Sequence, residues 1–263
     1  MTGSAAEPPG YDDPSELAAR VLGRPRPLLL GLDVDGVLAP IVAHAADAQL
    51  LAGTPDLLRR IADPPGMCVA IVSGRSLDDL ARFGFPEEIE QVGSHGMERA
   101  EHRITLEVEE ARRLDHLRSM ADEAARAAGD GAWVEDKPAS VVLHVREADP
   151  RLATAAVDDL AEAVAEIHES TVMRGSGVLE LFVRHGDKGT AVGELRDDVA
   201  AATTVFVGDD VTDERAFAAL LPGDIGVKVG DADTVAHHRL RDPEAVQAFL
   251  AAVAATVAPG DPA

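Results

Sequence analysis

Short apolar runs recur along this chain, and each stops abruptly at polar or charged residues. PLLLGLDV (27–34), MCVAIVSG (67–74), TTVFVGDD (203–210) and DIGVKVG (224–230) are apolar on both faces of an extended chain. Amphipathic stretches such as TPDLLRRIA (54–62), SLDDLARF (76–83) and DKGTAVGELRDDV (187–199) lie between them and carry helical spacing. Strands buried on both faces and separated by helices predict a parallel sheet covered on each side. The middle of the chain follows another rule. In AWVEDKPASVVLHVRE (132–147) polar and apolar residues alternate, and two long charged segments, 104–129 and 149–169, flank it. That pattern predicts a sheet with one wet face, with a strand fragment at ITLEV before the first of its helices. The fold class is therefore α/β: a doubly wound, Rossmann-like parallel-sheet core, residues 25–97 and 180–263, with an inserted α/β cap, 98–179. Residues 1–24 read as a mobile N-terminal tail, although PSELAARVL within it has the spacing of a short helix opened by Pro14. Thr54 is the expected cap of the helix it begins.

Charge narrows the partners. The 263 residues hold 47 acidic and 24 basic side chains, a formal net charge of −23. Such a chain is repelled by phosphodiester backbones, so nucleic acid is excluded as a partner. An anionic substrate would need local cations or a metal. A hydrophobic fraction of 46% supplies an ample aliphatic core. Cys68 is the only cysteine, so no disulfide forms within the chain, and a buried structural thiol is expected. The first residues lack a basic region followed by an apolar one, and no apolar run is long enough to cross a bilayer. No membrane partner and a cytoplasmic location are the expectation.

In open parallel α/β sheets, ligands sit at the carboxyl ends of the strands. Asp33 and Asp35 end one run, Ser73-Gly74-Arg75 another, and Asp209 and Asp210 a third. Asp-Gly is also ordinary turn chemistry, and Ser73 would serve as a helix cap. Carboxylates converging from separate strands repel, however, unless a cation lies between them. Oxygen donors with few nitrogens point to Mg2+ rather than zinc. Lys188, at the start of a helix, would add the positive charge a phosphate needs. His144 reads as structural, and His237 and His238 as surface residues.

DVDGVL, VSGR, DKG and GDDVTDE occur in the order of the four motifs of the haloacid dehalogenase superfamily. GSHGME (93–98), VEDKPASVVLHVR (134–146), VLEL (178–181) and GDDVTDERAF (208–217) resemble the trehalose-6-phosphate phosphatase family more narrowly. The resemblance covers most of the chain after about residue 25 and implies a role for each matching position. Asp33 would be the nucleophile, forming an aspartyl-phosphate, and Asp35 the acid and base. Ser73 and Lys188 would hold the phosphoryl group. Asp33, the Asp35 carbonyl and Asp209 would bind the metal, supported by Asp210 and Asp213. Gly74, Arg75, His95, Glu135, Lys137, Ser140 and Glu180 would contact substrate, with Arg146 a lesser candidate. Val37 stands where family members often have Thr, and Phe182 and Val183 where a basic residue and a proline are common. The implied reaction is hydrolysis of trehalose 6-phosphate in a trehalose biosynthesis route, with a functional partnership with a trehalose-6-phosphate synthase. Alternatives are a phosphatase of sucrose phosphate or of a phosphorylated glycosyl-glycerate, and a non-catalytic sugar-phosphate sensor.

Overall fold

The computed structural model describes residues 10–42 and 44–257. The first stretch holds α1 (Pro14–Leu22), β1 (Leu28–Leu32), α2 (Thr54–Ala62), β2 (Met67–Val72), the single turn α3 (Leu77–Leu80) and β3 (Glu90–Val92). The middle holds α4 (Val108–Ala128), β4 (Trp133–Asp136), β5 (Ser140–His144), α5 (Pro150–Ala165), β6 (Thr171–Gly175) and β7 (Val178–Phe182). The last stretch holds α6 (Lys188–Asp198), β8 (Thr203–Gly208), α7 (Asp213–Ala218), β9 (Ile225–Val229), β10 (His238–Leu240) and α8 (Pro243–Thr256). The chain divides into two units, one running to Ala100 and resuming at Asp187, the other spanning Glu101–Gly186.

The first unit is built on six parallel strands in the order β10-β9-β8-β1-β2-β3. Alternate residues of the central strands feed two apolar layers. Leu28, Leu30, Leu32, Val205 and Val207 join the layer under α1, α2 and α8. Leu29 and Phe206 point the other way, into the layer of α6 and α7. This two-sided burial is what the unbroken apolar runs foretold, and each Leu so buried contributes about 1.5–3 kcal/mol. β1 pairs with β2, the next strand in sequence, and on its other side with β8. Strand order thus reverses beside β1, and a crevice opens at its carboxyl end.

Three expectations need correcting in this unit. The segment 1–24 is not a tail throughout, because α1, capped by Asp13, buries Leu17, Ala18 and Val21 in the core against α8. Residues 1–9 lie outside the described residues. Thr54 does not cap α2; the cap is Gly53, in a left-handed conformation, and Thr54 is the first helical residue. Cys68 is half-buried rather than buried, at the edge of the α6–α7 layer.

The second unit is an antiparallel sheet in the order β4-β5-β7-β6, with α4 against β4 and β5 and α5 against β6 and β7. Val141, Leu143, Leu179 and Leu181 form one fully buried face, as the alternation required. The ITLEV strand fragment does not form. Instead Glu107 caps α4, and Glu110 returns the bond to the Glu107 N–H, so the chain is already turning into helix there. β7 crosses the expected boundary at 180, because its whole length pairs between β5 and β6.

Candidate active site

Asp33 follows β1 directly and its N–H donates to the Val207 carbonyl at 3.0 Å, which sets it beside the end of β8. The side chain is buried. Its Oδ1 accepts the Val34 N–H at 2.7 Å, and its Oδ2 accepts from Lys188 Nζ at 2.7 Å. Lys188, first residue of α6, donates at 2.8 Å to Asp213 Oδ1 as well. Asp213 opens α7 and turns its other oxygen back to the N–H groups of Asp209 and Asp210, both at 2.9 Å. The turn after Asp35 leaves room for this cluster only because residue 36 is glycine. Its φ is +73°, and a Cβ there would lie 2.0 Å from the Asp209 carboxylate. The Asp-Gly pair is turn chemistry and site chemistry at once.

Burial is the largest influence on Asp33 and lifts its pKa to about 7, with Asp213 and Asp35 adding to the rise and Lys188 opposing it. Asp209 rises to about 8, again through burial first, then through repulsion by Asp33, Asp213 and Asp210. For Lys188, burial alone would lower the pKa, but Asp213 and Asp33 outweigh it and hold the ammonium charged. One oxygen from each of Asp33, Asp209 and Asp213 lies within 4.8 Å of the others. An all-oxygen set whose members repel one another fits a hard divalent cation. Asp213, expected in support, belongs to this cluster by its side chain. The Asp35 carboxylate does not, since Arg75 holds it. Asp210 turns its side chain to the Val211 N–H.

Ser73 follows β2 and is buried, its Oγ accepting the Arg75 N–H at 3.3 Å. The helix cap is Ser76, not Ser73. Gly74 faces the His95 ring, which a Cβ would approach to 2.5 Å. Ser94 and His95 both take left-handed backbone angles, φ 49° and 58°, and His95 N–H donates to the Ser73 carbonyl. Buried Glu98 ties this turn down, accepting from Ser94 Oγ at 2.6 Å and from the Leu77 N–H.

In the second unit, Trp133, Glu135, Ser140, His144 and Glu180 share the sheet face opposite the buried one. Ser140 Oγ at 2.6 Å and Lys137 Nζ at 3.1 Å both donate to Glu180 Oε1. Glu135 meets His144 Nε2 at 2.8 Å, and the His144 ring stacks on Trp133 at 3.8 Å. Burial works to raise the Glu135 pKa, yet the His144 hydrogen bond and the Lys137 charge hold it below the ordinary value. Arg146 binds the Ser176 carbonyl at the β6–β7 turn. Val37, where the family often has Thr, is fully buried in the apolar core, and Phe182 is buried too.

Sequence reasoning passed over Lys228. It is buried within β9, donates to the Asp209 carbonyl at 2.5 Å and lies 3.5 Å from Glu214. Its signal was present: one lysine inside the apolar run DIGVKVG. His144 was read as structural, and its grip on Glu135 was not anticipated.

A reversal-point aspartate paired with a buried lysine, facing two further aspartates across the crevice of a parallel sheet, defines the haloacid dehalogenase class. The chain belongs to the trehalose-phosphatase family, whose sequence model matches residues 31–244. It is 31% identical over 229 residues to the bifunctional trehalose-6-phosphate synthase/phosphatase of Thermoproteus tenax, covering 84% of this chain but 31% of that protein. It is 30% identical over 227 residues to the trehalose-6-phosphate phosphatase of Escherichia coli, covering 83% of each. The chain thus spans under a third of the first of these relatives and most of the second. The same fold occurs in the C-terminal domain of a Candida albicans trehalose-6-phosphate phosphatase, with a TM-score of 0.81 at 22% identity over 96% of this chain and 99% of that one. Among the described residues, no helix is long and apolar enough to cross a membrane.

Proposed function

We propose that this chain is a Mg2+-dependent phosphatase that hydrolyses trehalose 6-phosphate to trehalose and phosphate. The observation that carries the reading is the buried Asp33–Lys188–Asp213 arrangement with Asp209 beside it. Asp33, Asp209 and Asp213 would hold the metal, with the Asp35 carbonyl and Asp210 in support. A divalent cation there screens the carboxylates from an incoming phosphate anion.

The Asp33 carboxylate attacks phosphorus, and the bond from phosphorus to the sugar oxygen breaks as Asp35 gives that oxygen a proton. Water then attacks the aspartyl-phosphate, Asp35 takes its proton, and phosphate leaves with Asp33 restored. Lys188 stays charged throughout and stabilises charge on Asp33 and on the phosphoryl oxygens. Ser73 and the Gly74 N–H are further donors to the phosphoryl group, with His95 beside them. The unit that runs to Ala100 and resumes at Asp187 would be the hydrolase domain, α1 included, and Glu101–Gly186 the specificity domain. There Glu135, Lys137, Ser140 and Glu180, which already pair with one another or with His144, would extend or exchange those hydrogen bonds to sugar hydroxyls, as an apolar ligand could not. A functional link to a trehalose-6-phosphate synthase is supported by the two activities named for the Thermoproteus protein.

The test is phosphate release with Mg2+ from trehalose 6-phosphate, sucrose 6-phosphate, glucose 6-phosphate and p-nitrophenyl phosphate. Preference for the first, weakened in Glu135→Gln or Glu180→Gln and abolished in Asp33→Asn, is the expected result. Equal turnover of all four would remove the substrate assignment and leave the chemistry. No release from any of them would remove both, and would favour a sugar-phosphate sensor.

A further inference from the structure

We propose that Arg75 is a positioning residue for Asp35 rather than a ligand of the phosphoryl group, an inference that rests on the phosphatase reading above. Arg75 Nε donates to Asp35 Oδ2 and Arg75 Nη2 to Asp35 Oδ1, both at 2.7 Å. This is the parallel two-point fork in which a guanidinium fixes a carboxylate in plane as well as in place. Two further contacts hold the guanidinium itself: Nη1 donates to the Ala45 carbonyl at 3.0 Å, and the group lies over the Phe83 ring at 5.1 Å. The Arg75 backbone is held too, its N–H donating to Ser73 Oγ at 3.3 Å. The Arg75 side chain is 7% exposed and that of Asp35 40%, so the buried partner is the anchor and the open one the working group.

A guanidinium docked on a carboxylate fork, a main-chain carbonyl and a ring has its orientation set by the fold. Turning it to a phosphate would break those bonds together. A carboxylate in a fork keeps further lone-pair positions on each oxygen, and these serve proton transfer. Asp35 must use them twice, giving a proton to the sugar oxygen as its bond to phosphorus breaks, then taking one from the attacking water. Arg75 therefore joins the carboxyl end of β2 to the acid–base residue that follows β1.

The experiment measures Arg75→Met, Arg75→Lys, Asp35→Asn and the double variant Asp35→Asn/Arg75→Met with Mg2+. The substrates are trehalose 6-phosphate and p-nitrophenyl phosphate. A sugar alkoxide needs a proton in order to leave, and nitrophenolate does not. Arg75→Met is expected to lower kcat on trehalose 6-phosphate about 100-fold, the scale of lost general acid–base catalysis, while KM stays within about threefold. On p-nitrophenyl phosphate the variant should release one burst of nitrophenolate per active site and then stall, because only water activation is impaired. The double variant should be no slower than Asp35→Asn alone, since the two residues act as one unit.

Three outcomes overturn the inference. One is a raised KM for both substrates with no burst, which would make Arg75 a phosphoryl ligand. The second is losses that multiply in the double variant, and the third is full activity of Arg75→Met. If Arg75→Met does not fold, Arg75→Lys, which keeps the charge but not the fork, carries the same comparison. A wild-type chain silent on both substrates removes this inference together with the phosphatase reading, and is told apart from the other failures by that silence.

Discussion

Lys188 stands between Asp33 and Asp213 with almost no exposure, so its charge has nowhere else to go. Breaking a buried ion pair by removing one partner leaves the other charge uncompensated, at a cost of about 3–5 kcal/mol. In metal-free buffer, Lys188→Met should lose stability on that scale in urea unfolding, and with Mg2+ it should turn over substrate at least about 100-fold more slowly. A variant as stable as the wild type would mean that the Asp33–Lys188–Asp213 pairing contributes nothing to the fold. The raised pKa values give a second, independent test. Asp33 and Asp209 titrate near 7 and 8 when folded, against 3.8 as the ordinary value. Between those limits the folded chain binds protons that the unfolded chain has released, so stability is full below the ordinary value and is lost as pH rises through 7 and 8. With chelator present, Tm should fall from pH 5.5 to 8.5, and Mg2+ should raise Tm more at the upper end, because the cation takes the place of the lost protons. A metal-free Tm that stays flat or climbs over this range would rule the account out. Asp33, Asp35, Ser73, Lys188 and Asp209 were legible in the sequence because each ends an apolar run or opens a helix, and because their motifs come in order. Asp213 was legible as a supporting group only. No spacing rule says that the first residue of α7 turns one oxygen onto the 209–210 backbone and the other toward Lys188.

Among the elements, most strands and helices were foreseen, α3 and α7 as longer helices than those that form, while β3, β10 and the docking of α1 were not. β3 and β10 have three residues each, too few for any period to register, and Glu90, Gln91 and His238 disguise them as loop. α1 had the right spacing and was still assigned to a tail. Its apolar side meets α8, more than two hundred residues further along, and periodicity is silent about distant partners. The docking has a measurable consequence. Leu17 is 1% exposed in the layer it shares with α8, so Leu17→Ala should cost about 2–5 kcal/mol in urea unfolding, as at other buried leucines. A loss within about 0.5 kcal/mol, the range of surface substitutions, would return α1 to the status of a tail. The boundary at 180 was missed for a related reason. VLEL resembles a strand of either sheet by composition, and only its pairing with β5 and β6 assigns it to the second unit.

At the scale of the whole molecule, electrostatics decides how an anion arrives. The chain carries a formal charge of −23, and its substrate on this reading is a phosphate dianion. Among the described residues of the first unit, the carboxylates of Asp33, Asp35, Asp209, Asp210 and Asp213 outnumber the cations of Lys188, Lys228 and Arg75 around this site. A bound divalent cation offsets that local excess and leaves the long-range field repulsive. Repulsion slows encounter and is screened by salt, the Debye length shrinking from about 30 Å at 10 mM to about 8 Å at 150 mM. kcat/KM for trehalose 6-phosphate at saturating Mg2+ should therefore rise across that range of NaCl, while kcat, set after binding, stays level. A fall in kcat/KM would mean that the metal and Lys188 together steer the anion in against the charge of the rest of the chain. The two outcomes separate a site that draws its substrate from a distance from one that recognises it only on contact. The acidic composition, uninformative about fold, favours the second.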